Sequence, residues 1–282
     1  MQLCQGHEKE QWFGQGVVLA NSPAASGVQL LTLEAPEFAR RVRPGQFVML
    51  RLPQCVDPLL GRPFAVFDAD PQCGRVKVLY AVVGKGTARL QQVGVGERLE
   101  LWGPLGVAWD RALAERNATR LALVAGGIGC APFYTLIKEL MSRESSSRPE
   151  IVFVYGARDA SRLACVEDFK ALGISVLLVT EDGSLGRRGL VTDLLPEIFP
   201  EENAKDFAQI LACGPHPMMR AVAKWTLAHG VNCWTSLESP MACGLGLCFS
   251  CVVPWLNDQG EWDYRRTCVD GPIFDAARLK WD

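Results

Sequence analysis

Leu121-Ala122-Leu123-Val124-Ala125-Gly126-Gly127-Ile128-Gly129-Cys130-Ala131-Pro132 decides the fold of the middle of the chain. Five apolar residues in succession read as a strand buried on both faces, the pattern of a parallel sheet with helices on either side. The strand runs into a glycine-rich turn. Pro132 then suits the first turn of a helix, predicted to Met141, because its missing N–H is not needed there. Strand, glycine turn and helix together offer backbone N–H groups to a pyrophosphate. The spacing departs from G-x-G-x-x-G, so Gly126, Gly127 and Gly129 approximate the dinucleotide fingerprint without matching it.

Downstream, Ile151 to Tyr155, Val176 to Thr180 and Gln209 to Cys213 read as further strands, with helical segments between them. That rhythm predicts βαβ units and an α/β parallel-sheet nucleotide domain over residues 111–235. Cys213-Gly214-Pro215 falls at the C-terminal end of its strand, where open α/β sheets bind ligands. Cys213 also has a plainer reading, a buried apolar thiol. Met218 onward can start a helix. His216, in a turn between prolines, is given no catalytic role. Arg158, Arg187 and Arg188 suit either a nucleotide phosphate or solvent.

Upstream, residues 1–110 read as short strands punctuated by turns: Gln15 to Ala20, Val28 to Leu33, Phe47 to Leu52, Ala65 to Asp68, Val76 to Val83 and Arg98 to Trp102. Pro44-Gly45, Pro71, Gly94, Gly96 and Gly103-Pro104 fill the gaps. So many short strands close most simply as an antiparallel β-barrel, which leaves no exposed edge. Two segments inside it carry chemistry. Arg62-Pro63-Phe64-Ala65 begins a strand with an arginine able to fork onto a phosphate. Leu79-Tyr80-Ala81 runs on to Gly84-Lys85-Gly86-Thr87, a glycine turn with a hydroxyl suited to an anion. Each alone reads more readily as a surface arginine or an ordinary turn.

A chain of 282 residues, 49% hydrophobic, can bury more than one core, and a net charge of −2 points to neither nucleic acid nor an anionic membrane surface. Met1 to Glu10 lacks the apolar core of a signal peptide, and no run reaches the length of a membrane helix. Eleven cysteines, an odd number, argue against a complete set of disulfides. A reducing, cytoplasmic setting is expected, where clustered cysteines bind metal or do redox work.

That cluster lies in the tail, residues 236–282. Ser236-Leu237-Glu238-Ser239-Pro240-Met241-Ala242 leads into Cys243-Gly244-Leu245-Gly246-Leu247-Cys248-Phe249-Ser250-Cys251, with Cys268 after sixteen intervening residues. C-x4-C-x2-C…C is the plant-type [2Fe–2S] spacing, in which each iron takes two thiolates. A structural zinc site and a disulfide pair are the alternatives. Zinc sites usually show two C-x2-C pairs, and one is present. Val252, Val253 and Trp255 then Trp262 and Tyr264 read as a hairpin about Asn257-Asp258-Gln259-Gly260 that returns Cys268 to the other three.

Arg62-Pro63-Phe64, Gly86-Thr87, Gly103-Pro104-Leu105-Gly106, Gly126-Gly127-Ile128-Gly129 and Cys213-Gly214-Pro215 together resemble the ferredoxin reductase superfamily. With Glu238-Ser239-Pro240-Met241 before the cysteines, nearly the full chain resembles the electron-transfer subunits of NAD-dependent dihydroorotate dehydrogenases. The resemblance implies a multi-domain oxidoreductase subunit: a FAD-binding barrel, an NAD-binding α/β domain and a small C-terminal [2Fe–2S] domain. It implies that Arg62, Pro63, Phe64, Ala65, Leu79, Tyr80, Ala81, Gly86 and Thr87 hold FAD. It implies that Gly126, Gly127, Gly129, Cys213, Gly214 and Pro215 hold NAD, and that Cys243, Cys248, Cys251 and Cys268 hold the cluster. Where the family usually has a serine near flavin N5, Ala65 stands; Cys130 replaces an aliphatic residue. The partner implied is a dihydroorotate dehydrogenase catalytic flavoprotein subunit, two of each chain, with electrons passing through cluster and FAD to NAD+ in pyrimidine biosynthesis. Trp255, Trp262 and Phe249 are candidate contacts or core. Rivals with the same modules are the flavin subunit of a cytoplasmic hydrogenase or sulfhydrogenase and the small subunit of an NADH-dependent ferredoxin–NADP reductase. An iron–sulfur sensor on a degenerate reductase fold is a third.

Overall fold

The structure is a computed structural model that describes residues 11–114, 119–199 and 209–281. The stretch without an apolar leader core, Met1 to Glu10, lies outside the described residues.

Six strands close the first barrel: β1 (Trp12–Ala25), β2 (Val28–Glu34), β3 (Phe47–Arg51), β4 (Arg62–Asp70), β5 (Arg75–Ala81) and β6 (Arg98–Leu105), in the order β1-β2-β5-β4-β3-β6. Every neighbouring pair is antiparallel. Alternation does the sorting. Val18, Leu31, Leu33, Val48, Val76, Val78 and Leu101 point inward and are fully buried, as a period of two requires. Two short helices interrupt the strands, α1 (Pro36–Ala39) and α2 (Lys85–Leu90).

After α3 (Asp110–Ala114) the chain enters a seven-stranded sheet. Its members are β7 (Arg120–Gly126), β8 (Glu150–Ala157), β9 (Ser175–Thr180), β10 (Arg187–Arg188), β11 (Gln209–Cys213) and β12 (Cys233–Ser236), with α4 (Ala131–Ser142), α5 (Val166–Ala171), α6 (Leu195–Ile198) and α7 (His216–His229) between them. The order is β10-β9-β8-β7-β11-β12-β15, where the last is β15 (Ile273–Asp275) from the tail. All these pairings are parallel except β12 with β15. β7 is central and buried on both faces, which is why its sequence is continuously apolar. α4 buries Phe133, Leu136, Ile137 and Leu140, the helical spacing that covers one face. The helix after Cys213 begins at His216, two residues before the predicted start, with Pro217 in its first turn. It stops at Gly230, whose φ of 66° allows the left-handed cap.

β12 and β15 were not legible in advance. Cys-Trp-Thr-Ser is only four residues and carries no apolar run. β15 leaves the tail to lengthen the nucleotide sheet, so the last residues close over the sheet edge rather than trailing from the cluster.

Barrel and sheet share one core. Val28, Phe67 and Leu79 of the barrel pack with residues of β7, β8, α4 and α5. Phe67 stacks on Tyr134 of α4 at 4.5 Å between centroids. Beside them, Lys138 donates to the buried Asp68 carboxylate at 2.8 Å. The remaining hairpin, β13 (Val252–Leu256) and β14 (Trp262–Arg266), follows the cysteine loop as the sequence predicts.

Candidate functional site

A cleft of about 750 Å³ lies between barrel, sheet and tail. Its volume falls in the range of cofactor sites. The fifteen residues singled out for FAD and NAD all line it: Arg62, Pro63, Phe64, Ala65, Leu79, Tyr80, Ala81, Gly86 and Thr87 from the barrel, and Gly126, Gly127, Gly129, Cys213, Gly214 and Pro215 from the sheet. The topology explains the convergence. β4 and β5 are barrel neighbours, and β7 and β11 are sheet neighbours whose C-terminal ends open on the same side.

Local geometry organises the barrel wall. Phe64 meets Tyr80 edge-on at 5.7 Å. The Tyr80 hydroxyl donates to Asn21 Oδ1 at 3.0 Å, and Asn21 Nδ2 in turn donates to the carbonyls of Leu90 and Val93 behind α2. Burial raises the Tyr80 phenol and the Asn21 contact opposes it. Thr87 Oγ1 accepts from the N–H groups of Val83 and Gly84 at 3.0 and 3.1 Å, which folds the glycine turn over the cleft. Arg62 reaches in from β4, steadied by donating to the carbonyls of Leu60 and Gly61. Ala65 offers no side-chain oxygen.

On the sheet wall the backbone itself leaves no room for side chains. A Cβ on Gly129 would meet the Cys213 carbonyl oxygen at 2.3 Å, and one on Gly126 would meet Met218 Sδ at 2.5 Å. Gly214 has φ +157° and packs against the Gly126 backbone. Only Gly127, at φ +52°, faces open space. Such a floor lets a dinucleotide lie against bare backbone. Burial pushes the Cys213 thiol up, and the Glu238 carboxylate nearby adds to it. Glu238 is exposed where it lines the cleft, and desolvation by the protein around it raises its carboxyl too. Arg158, Arg187 and Arg188 are not among the residues lining this cleft, and Arg187 pairs with Glu197.

Sequence reasoning missed part of the wall: Gly45, Phe47, Ser236 to Met241 and Pro272. In the sequence Ser236 to Met241 lead into the cysteines, and Glu238 to Met241 carry part of the family resemblance. No local signal marks them as cleft wall, because only the pairing of β12 with β11 puts them at the C-terminal end of a parallel strand.

The cysteine loop lies on the far side of that wall. Cys251 and Cys268 are buried, with sulfurs 3.2 Å apart. Cys243 and Cys248 form the other pair; the Cys248 thiol, which is exposed, is drawn down to about 6 by Ser250 first and then by Cys243. Burial and Cys251 push Cys268 up. Two pairs of thiols are what two irons need. Gly244 and Gly246, at φ +72° and +81°, let the loop curl tightly, and a Cβ on either would strike Met49 or Val269. The residues present therefore fit a [2Fe–2S] cluster. The ten described cysteines are unpaired.

A flavin-type barrel against a nucleotide sheet, with a four-thiol tail, defines an oxidoreductase of the ferredoxin reductase type. Residues 238–280 match the family model of the iron–sulfur cluster binding domain of dihydroorotate dehydrogenase B, and residues 123–224 that of the oxidoreductase NAD-binding domain. The chain is 34% identical to the dihydroorotate dehydrogenase B (NAD(+)) electron transfer subunit of Desulforamulus reducens, over 94% of this chain and 97% of that one. It is 37% identical to the subunit of the same name from Geobacillus kaustophilus, over 88% and 91%. The chain belongs to the family of dihydroorotate dehydrogenase B electron transfer subunits. Among solved structures, an NADH-dependent reduced ferredoxin–NADP oxidoreductase superposes with a TM-score of 0.81 at 30% identity, over 95% of this chain and 90% of that one. The FAD/NAD-binding domain of a Vibrio cholerae nitric oxide dioxygenase, 18% identical with a TM-score of 0.65 over 80% of this chain and 98% of that one, shares the fold.

Proposed function

We propose that this chain takes electrons from a dihydroorotate dehydrogenase catalytic subunit and delivers them to NAD+ by way of a [2Fe–2S] cluster and FAD. Bound together, these groups supply single-electron exchange on the iron–sulfur side and hydride exchange on the nicotinamide side. The protein's part is to hold them in place. Residues 1–110 carry the flavin, 111–235 the nicotinamide cofactor and 236–282 the cluster.

Arg62 takes the flavin pyrophosphate, helped by Gly86 and the Thr87 turn. Pro63, Phe64, Ala65, Leu79, Tyr80 and Ala81 shape the flavin wall. Gly126, Gly127, Gly129, Gly214 and Pro215 admit the dinucleotide backbone, and Cys213 lies beside the nicotinamide. Cys243 with Cys248, and Cys251 with Cys268, hold the two irons. No residue serves as general acid or base. The observation that supports this most is that all fifteen cofactor candidates line one cleft, while Phe47 and Met241 of that cleft pack directly on Cys251 and Cys268.

The partner docks on the outer side of the cysteine loop. Leu247 and Phe249 there are 78% and 62% exposed, with Trp262 and Val269 also open; aromatic and apolar side chains at such a rim suit an interface. Trp255 does not take part, since it is buried with Phe274 and Leu279. The assembly has two of each chain and works in the cytoplasm, which the unpaired cysteines suit. No helix among the described residues is long and apolar enough to cross a membrane.

The test is to co-express the chain with a dihydroorotate dehydrogenase catalytic subunit and assay NADH formation from dihydroorotate. Co-purification with NAD+ reduction that requires this chain supports the reading. The likeness to the ferredoxin–NADP oxidoreductase favours one rival. Co-purification with ferredoxin-reductase subunits instead, with no dihydroorotate-dependent NADH, overturns the proposal in that rival's favour.

A further inference from the structure

Arg266 is the residue that joins the two halves of the cysteine site. It ends β14, two residues before Cys268. Its Nη1 donates to the carbonyl of Gly246, in the middle of the loop that bears the other three thiols, at 3.0 Å. Its guanidinium lies over the Phe249 ring, 5.2 Å from the centroid. Phe249 sits between Cys248 and Cys251 at φ 55°, a left-handed conformation that costs a non-glycine residue free energy. It is also 62% exposed, so burial does not offset that cost. The arginine over the ring is the contact that holds it there. The other end of Arg266 is fixed as well. Its N–H donates to Asp270 Oδ2 at 2.8 Å, its Nε lies 3.4 Å from the same oxygen, and its carbonyl accepts from Asp270 and Val269.

We propose that Arg266 is a positioning residue that clasps the Cys243–Cys251 loop to the Cys268 turn and whose charge holds the cluster's reduction potential up. This rests on the reading that the four thiols carry a [2Fe–2S] cluster. Four thiolates and two sulfides outweigh the charge of two ferric irons, and one-electron reduction adds to the excess. A cation fixed at the loop stabilises the reduced form more than the oxidised one. A mere structural tie would set the loop's stability and leave the potential where it is.

The experiment is an EPR-monitored redox titration of the full chain isolated anaerobically, with release of iron to a chelator followed in parallel. Arg266→Gln is expected to titrate at a more negative midpoint and to release iron faster than the wild type. Arg266→Lys, which keeps the charge but not the Nη1 bond to Gly246 or the guanidinium over Phe249, is expected to keep the midpoint near the wild type and still release iron faster. Asp270→Asn, which removes the anion paired with Arg266, is expected to titrate at a more positive midpoint. An Arg266→Gln midpoint equal to the wild type overturns the charge role, and iron release at the wild-type rate overturns the clasp. Should Arg266→Gln purify without iron, Asp270→Asn decides the charge role: an unmoved midpoint refutes it. A wild-type protein with no two-iron EPR signal would refute the cluster reading itself, which is a different failure from any of these.

Discussion

Gly129→Ala adds one methyl group at the point where the two glycine-bearing turns of the sheet touch. The nearest atoms to the new Cβ are Cys213 O at 2.3 Å, Cys213 C at 2.5 Å and Gly214 Cα at 2.6 Å, all of them backbone. No side chain can swing aside. Ordinary contact begins at 3.4 Å, so the Cys213-Gly214 turn must retreat from Gly129 by about 1.1 Å, the difference between 3.4 and 2.3 Å. Overpacking of this kind costs about 1–3 kcal/mol of stability. The functional cost is larger, because Cys213, Gly214 and Pro215 line the sheet side of the cleft, where we propose the nicotinamide lies, and a misplacement of about 1 Å slows a positioned reaction on the order of 100-fold. The flavin wall belongs to β4, β5 and α2, which the new methyl does not touch. The assay is stopped-flow flavin reduction by NADH beside flavin reduction by dithionite, with bound FAD quantified. The variant is expected to keep its FAD and its dithionite reduction while NADH-dependent reduction falls by about two orders of magnitude. NADH reduction at the wild-type rate, in a variant of wild-type fold, would refute the claim that these turns meet at the nicotinamide site.

Cys248→Ser is expected to lose the two-iron EPR signal and keep FAD, because the exposed sulfur of the Cys243/Cys248 pair is remote from the barrel's flavin wall; parallel loss of flavin absorbance would show that the modules are not separable. Cys213→Ala is expected to slow NADH-dependent flavin reduction in stopped flow and to leave electron exchange between flavin and cluster intact, and an unchanged rate would return Cys213 to a packing role. For Glu238 the folded state raises the carboxyl by burial, so its protonated form favours folding: its contribution is present at low pH and is lost as pH rises through the raised value. Glu238→Gln is therefore expected to unfold at a higher temperature than the wild type at neutral pH and above, with the difference closing in acid; a gap that widens on acidification would contradict the sign.

Much of this was written into the residues. The barrel strands announced themselves as short runs with glycine and proline between them. β7 did so by being apolar without interruption, a consequence of helices on both its faces. The glycines of the cleft and of the cysteine loop were legible where the backbone demands that residue type: Gly129 because nothing else fits beside Cys213, Gly246 because its φ is positive. What stayed hidden was long-range pairing. β15 is Ile-Phe-Asp, three residues whose partner Trp234–Ser236 stands far back in the chain, and no local pattern encodes that distance. Glu238 was hidden for the same reason: only the placement of β12 turns the stretch after it into a cleft wall. Trp255 and Phe249 look alike in sequence, yet one is core and the other exposed. The difference lies in which face of the tail the Phe274 strand covers.

The wall between cleft and cysteines explains why these modules are built into one chain. Phe47, Met49 and Leu105 of β3 and β6 pack on Cys251 and Cys268, with Trp102, Met241 and Leu245 around them. Trp102 Nε1 donates to the Cys243 carbonyl at 2.9 Å, and a Cβ on Gly244 would strike Met49 Cγ at 2.8 Å. The cysteine loop is thus seated on the barrel itself. Phe47 and Met241 show their other side to the cleft. Phe47 and Met241 thus touch both the cleft and the cluster of side chains that holds the buried thiol pair, while Cys248 of the other pair lies at the surface beside Leu247 and Phe249. A protein with one thiol pair facing inward and the other facing out can accept electrons from a docked partner without admitting that partner's substrate.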